Sequence, residues 1–263
     1  MPITCAIPIA NLTREEFIER DELIMKCAYA TQNKLGRLCD EQVYENELAE
    51  RLRAAGMMNV RTQVPLRVTH GPFIKEYRLD LVANEAVYEL KTATQFVPAH
   101  DAQVFNYAMC LGISCIKLLN FRDSRVNGKL RMVPVTTVQR HACKINSSGW
   151  QPLSPKCHLL KDQITNIIDD LGGFLEACLY SEALSCILPA PETRLIVTSN
   201  GIALGTHALP MLDEHIAFHV SSYTGYLGHQ FPHLQRLLAT LPLKCLHWIN
   251  FNRQDITLTT LIK

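Results

Sequence analysis

No run in this 263-residue chain approaches the roughly 20 consecutive apolar residues that a membrane-spanning helix requires. Met1–Ala10 has no basic segment ahead of an apolar one, so nothing there reads as a secretory leader. Ten cysteines are present, yet no two form a Cys-x-x-Cys pair. The expectation is therefore reduced thiols in a cytoplasmic setting. A strong excess of one charge is also missing, since 26 Lys and Arg face 25 Asp and Glu for a net charge of +1. That argues against a surface basic throughout, the usual electrostatic footprint on nucleic acid. The balance is uneven along the chain: residues 1–145 hold 19 basic against 16 acidic residues, and residues 146–263 hold 7 against 9. Arg122, Arg125, Lys129 and Arg131 form a modest basic cluster, either a phosphate contact or a solvated loop. His215/His219 and His229/His233 have i, i+4 spacing, but neither pair has a third ligand in a convincing helix, so no zinc site is expected.

The most informative residues present are Leu79–Lys91, Leu-Asp-Leu-Val-Ala-Asn-Glu-Ala-Val-Tyr-Glu-Leu-Lys. Two strand-like runs flank a turn at Asn84–Glu85. Side chains alternate along a strand, so Glu89 and Lys91 point one way while Tyr88 and Leu90 point the other. Folding the hairpin returns Asp80 to the side of Glu89. Two carboxylates and an ammonium in an apolar setting suit a hard divalent cation, Mg²⁺ or Mn²⁺, and metal-assisted hydrolysis of a phosphodiester. The bland reading is a solvated hairpin, because Asp, Glu and Lys are common on strand surfaces.

The flanks add to this pattern. Leu35–Ala55 reads as one amphipathic helix stopped by Gly56, with Leu38, Glu41, Tyr44 or Glu45, Leu48 and Leu52 on a stripe. Glu41 is then an acid on a largely apolar face. His100–Leu111 reads as a second helix, with Gln103 and Tyr107 at i and i+4 on one face. Ile113–Phe121 reads as a buried strand. The order helix, hairpin, strand, helix, strand predicts an α/β fold, a mixed sheet with helices on its faces.

At this point the residues resemble a known family. Lys34–Pro134 is similar to the GxxExxY proteins, a branch of the PD-(D/E)XK nuclease superfamily. The naming motif falls on Leu38-Cys39-Asp40-Glu41-Gln42-Val43-Tyr44, with Leu38 in place of its glycine. The later pattern falls on Tyr77–Val82, Tyr88–Lys91, His100–Tyr107 and Leu118–Phe121. The resemblance implies a PD-(D/E)XK nuclease-like core. Asp80 and Glu89 would bind the metal, with the Leu90 carbonyl as a further ligand. Lys91 would be catalytic, Glu41 the upstream acid, and Gln103 and Tyr107 a strand-positioning pair. Nucleic acid would be the partner, DNA or RNA being left open.

The second half reads as a degenerate copy of the first. Leu171–Leu184 parallels Leu35–Leu48, Arg194–Leu209 is strand-turn-strand about Asn200-Gly201, and Trp248-Ile249-Asn250-Phe251 parallels Leu118–Phe121. Aligning Glu214 with Glu85 puts Phe218 in the place of Glu89 and Val220 in that of Lys91, which leaves a dead site. The expected domains are 1–145, nuclease-like, and 146–263, degenerate. Asn146–Lys156 reads as the linker, and the two halves are expected to form an intramolecular pseudo-dimer. The function expected is metal-dependent hydrolysis of nucleic acid; the alternative is a weak or inactive nuclease-fold module that binds nucleic acid or protein.

Overall fold

The computed structural model describes residues 2–263, which divide into two compact units. One gathers Ile3–Val68 and Lys75–Thr137; the other gathers Val138–Lys263 with Thr69–Ile74. Both are mixed α/β, and among the described residues no helix is long and apolar enough to cross a membrane.

The first unit runs β1 (Ile3–Cys5), α1 (Arg14–Leu35), α2 (Glu41–Ala54), β2 (Val60–His70), β3 (Phe73–Ala83), β4 (Ala86–Lys91), α3 (Pro98–Leu111), β5 (Cys115–Asn120) and β6 (Asn127–Met132). Its six strands lie in sequence order across one sheet. β3 and β4 are antiparallel, β4 and β5 parallel, and β5 and β6 antiparallel. The parallel pair requires a crossover, which α3 supplies.

The helix expected over Leu35–Ala55 is in fact two elements. α1 ends at Leu35 and α2 begins at Glu41, with Gly36 at φ 74° between them. Leu38 is therefore 85% exposed and lies off the buried stripe. The stripe itself is Tyr44, Glu45, Leu48, Ala49 and Leu52. α1, absent from the sequence reading, opens on a reciprocal cap: Thr13 accepts the Glu16 N–H, and Glu16 accepts that of Thr13. Phe17 and Ile24 of α1 join Tyr44, Leu48, Leu52, Tyr88 and Leu90 in one core. Burying each large side chain of that set contributes about 1.5–3 kcal/mol. At the tip of the β3–β4 hairpin, Asn84 and Glu85 take φ of 48° and 71°, the left-handed pair that a two-residue hairpin turn requires. Asn120 anchors the chain leaving β4: its side chain accepts the Ala93 N–H at 3.1 Å and donates to the Ala93 carbonyl at 2.7 Å.

After a short helix α4 (Thr137–His141), the second unit runs β7 (Lys144–Gly149), α5 (Pro155–Leu171), α6 (Ala177–Ile187), β8 (Glu192–Ser199), β9 (Ile202–Asp213), β10 (Ile216–Ser221), α7 (Leu227–Thr240), β11 (Cys245–Asn252) and β12 (Asp255–Ile262). Strand, two helices, three strands, helix and two strands follow one another as in the first unit. The sheet order is β7-β12-β11-β10-β9-β8, so the initial strand stands beside the last strand instead of beside the second. Asn146–Gly149, read as linker, belongs to β7, which pairs in parallel with β12. His229 and His233 do share a helix, α7.

Strand register also corrects the expected positions of Phe218 and Val220. Glu89 and Lys91 stand opposite Leu118 and Asn120, whereas the residues opposite Trp248 and Asn250 are His219 and Ser221. Asn250 brackets Tyr223 with 2.9 Å bonds to its N–H and carbonyl, as Asn120 brackets Ala93. The one-residue error comes from the turn: Glu85 is its second residue and Glu214 its first. Because strand side chains alternate, a slip of one exchanges the two faces. Phe218 is fully buried, and His219 stands opposite Trp248 as Glu89 stands opposite Leu118.

Candidate active site

Asp80 enters from β3 and Glu89 from β4, both largely buried at 8% and 2% exposure. Oδ2 of Asp80 accepts the Leu90 N–H at 2.8 Å, so the backbone of the neighbouring strand fixes the carboxylate. Lys91 Nζ donates to Glu89 Oε1 at 2.7 Å and lies 3.7 Å from Glu41 Oε1. Glu41 is the first residue of α2, where the helix terminus favours a negative charge. The hairpin and the start of α2 thus bring Glu41, Asp80, Glu89 and Lys91 together.

Protonation follows from that crowding. Burial, then the Asp80 carboxylate, pushes Glu89 up to about 8 despite the pull of Lys91. Burial likewise raises Asp80 and Glu41 above the usual carboxylate range. Lys91 is held above its ordinary value by Glu89, Glu41 and Asp80, which together outweigh the larger desolvation that opposes them. The Asp80 and Glu89 carboxyls act on each other's titration, and two carboxylates crowded in this way favour a proton or a cation between them. Glu89 Oε2 is buried with no hydrogen-bond partner among the described residues. An orphaned oxygen beside a second carboxylate fits a hard divalent cation. No group of three His, Cys, Asp or Glu side chains placed to hold a metal occurs among the described residues, so water and backbone oxygen would complete such a shell.

Two participants went unassigned in the sequence. Glu45, one turn beyond Glu41, is buried and accepts Gln63 Nε2 at 2.6 Å. Burial pushes Glu45 up to about 6 against the pull of Gln63, and Asp80 and Glu41 add to the rise. Gln63 also pulls against the rise in the Asp80 pKa, so one amide acts on the α2 acid and the β3 acid. Its backbone sits at φ 51° inside β2, an uncommon conformation for a residue with a Cβ. The i, i+4 spacing of Glu41 and Glu45 was legible; a left-handed glutamine within a strand leaves no sequence signal.

On α3, Gln103 Nε2 donates to the Tyr107 hydroxyl at 3.0 Å, and the Tyr107 ring meets Tyr77 edge-on at 5.6 Å. Burial, and after it the Lys91 charge, lowers the pKa of His100 in the first turn of α3. Within the basic cluster, Arg131 pairs with Asp101 at 2.7 Å and Lys129 lies 5.0 Å over the Phe96 ring.

With this geometry in hand, comparison with known proteins gives one match. A family model described as the PD-(D/E)XK nuclease superfamily matches residues 19–133, from within α1 to just past β6. No curated protein and no solved structure matches the chain. Match and mixed α/β fold together support a nuclease-type domain over those residues.

Proposed function

We propose that the first unit hydrolyses phosphodiester bonds in nucleic acid, with Mg²⁺ or Mn²⁺ held by Asp80 and Glu89. One observation carries the reading: two buried carboxyls that act on each other's titration, one with an unsatisfied oxygen, beside a lysine. The cation would polarise a phosphate oxygen and lower the pKa of a bound water. Lys91, once Glu89 is engaged elsewhere, points its ammonium at the charge that develops on the phosphate or at the attacking water. Glu41 holds Lys91 in place or would take up a second ligand position, and the Leu90 carbonyl would be a further ligand. Gln63 fixes Asp80, while Gln103 and Tyr107 position the nucleic-acid strand. The resemblance to the GxxExxY branch supports these roles. The test is calorimetric titration of wild type and Asp80→Ala with Mg²⁺ or Mn²⁺, followed by cleavage assays on single- and double-stranded DNA and RNA. Binding and cleavage that both vanish in Asp80→Ala support the proposal. Equal cation binding by both proteins refutes it, and nucleic-acid binding in chelator without cleavage points to a module that kept only the frame.

We further propose that the second unit arose as a copy of the first and has lost this site. Local geometry supports it. Tyr44 donates to the Gly36 carbonyl and accepts the Cys39 N–H, and its ring stacks on Phe121. Tyr180 does the same with Gly172, Leu175 and Phe251. The partly buried Asp21–Lys117 ion pair of α1 and β5 has its counterpart in Cys157 and His247 of α5 and β11, 3.1 Å apart. In that frame Ala177 stands for Glu41, Ser181 for Glu45, His219 for Glu89 and Ser221 for Lys91. A measured Mg²⁺ stoichiometry of one per chain, unchanged by His219→Ala, tests the loss.

A further inference from the structure

We infer that the outer edge of β8 pairs with β8 of a second copy of this chain, antiparallel and about a two-fold axis at Ile196. Pairing of this kind is independent of the cleavage proposed above. β8 is the last strand of its sheet, with β9 on one side and, among the described residues, no strand on the other. In the first unit the corresponding strand, β2, is covered by β1, which sets Ile3 opposite Val68 and Cys5 opposite Leu66. In the second unit the initial strand stands beside β12, so that cover is missing from β8. A bare strand edge presents a row of N–H and C=O groups that another strand can close.

The other outer strands are blunted and this one is not. β1 has three residues, β6 carries Lys129 and Arg131, and β7 opens at Lys144 and ends at Gly149. β8 reads Glu-Thr-Arg-Leu-Ile-Val-Thr-Ser, eight residues with neither proline nor lysine. The bulge of the β8–β9 hairpin inserts Leu204 into β9 and leaves β8 regular. Ile196 is 54% exposed, and Ile202 and Leu204 on β9 are 65% and 66% exposed, so apolar surface lies open beside this edge. The strand is also self-complementary, which selects a second copy as the occupant. An axis through Ile196 sets Ile196 opposite itself, Leu195 opposite Val197 of the second copy and Thr193 opposite Ser199, and each unlike pair forms twice. Aliphatic and hydroxyl pairs directly opposite one another stabilise an antiparallel ladder. Arg194 falls opposite Thr198, so no like charges meet. Leu195 and Val197 already pack against the core that holds Leu238 and Leu241, and the pairing sets the two copies' cores edge to edge.

The experiment is sedimentation equilibrium of the full chain in chelator over about a hundredfold range of concentration, alongside Ile196→Lys, Ile196→Glu and their equimolar mixture. Wild type should pass from monomer to dimer as concentration rises. Each single variant sets like charges opposite one another at the axis and should raise the dissociation constant at least about tenfold. The mixture sets opposite charges there and should recover a dimer, which a misfolded variant could not do. Amide exchange across 193–199 should slow as the wild-type dimer forms. A chain that stays monomeric throughout overturns the inference and leaves the edge to a strand of another protein. A dimer that Ile196→Lys leaves intact, or one that the mixture fails to restore, overturns it as well. None of these readouts uses metal or cleavage, so failure here is distinct from failure of the nuclease reading.

Discussion

Replacing Glu89 by glutamine should stabilise the metal-free protein, by an amount that grows with pH. The Glu89 carboxyl ionises near 8 in the fold, against 4.5 for an ordinary glutamate. Its raised value reflects first the loss of water around it and second the Asp80 carboxylate. Between those two pH values the folded chain holds a proton that the unfolded chain has released. Stability therefore falls as pH rises through that window and levels off above about 8. One proton is equivalent to about 1.4 kcal/mol per pH unit, which sets a ceiling near 5 kcal/mol by pH 8. Glutamine has the same shape and never has to ionise, so it escapes that loss.

The assay is urea unfolding in chelator, wild type against Glu89→Gln, at intervals from pH 4 to 8.5. Buried histidines complicate either profile alone: burial drops His247 to about 4, which makes stability rise with pH below the ordinary histidine range. The difference between the two proteins cancels that contribution. It should lie near zero at pH 4, climb steadily and reach several kcal/mol at pH 8. A difference that stays flat across the range would falsify the buried-carboxyl account, since an exposed Glu89 gives no such slope.

The other predictions concern the same centre and its frame. Divalent-cation affinity should rise with pH up to about 8, because the cation displaces a proton from Glu89; calorimetry in buffers of different ionisation enthalpy should show proton release on binding. Lys91→Ala should remove cleavage by orders of magnitude while the protein stays folded, as judged by circular dichroism. Gln63→Ala should free Glu45 and Asp80 from their shared amide, so cleavage falls and the pH–rate profile shifts, while Gln63→Glu should be worse because it adds a third carboxylate. Tyr180→Phe should destabilise the second unit by about 1–3 kcal/mol, since the buried Gly172 carbonyl and Leu175 N–H both lose a partner, and a denaturant melt reads the loss directly.

The sequence made the hairpin legible because its signals are local. Alternation placed Glu89 with Lys91, and Asn84–Glu85 stood where a two-residue turn belongs. The start of α2 was misjudged because Leu38 fits a helical stripe on paper while Gly36 breaks the chain two residues earlier. α1 went unread because its buried face includes Thr31 and Gln32, polar residues that lower the contrast on which an amphipathic pattern depends. Gln32 earns burial only through the tertiary structure: its amide donates to the Phe121 and Asp123 carbonyls at 2.7 and 3.0 Å, which shapes the turn after β5. No local pattern announces a partner 89 residues away.

The site and its counterpart differ in what each requires of the same frame. In the first unit the tyrosine of α2 and the asparagine of β5 hold backbone in place around groups that are unfavourable to bury: three acids with raised pKa values and a lysine compressed against them. Such a cluster persists only where the surrounding packing over-determines it. The second unit keeps the tyrosine, the asparagine and the aromatic stack, with a ring separation of 3.8 Å between Tyr180 and Phe251 against 4.7 Å between Tyr44 and Phe121. It lacks the charges. The residues the two units have in common are therefore those that close backbone hydrogen bonds, which any version of this fold must satisfy. Of the charged residues in the first unit, Asp80 accepts the Leu90 N–H, while Glu89 and Lys91 bond each other. Under the function proposed above, chemistry is what offsets the stability lost by burying these charges in the first unit.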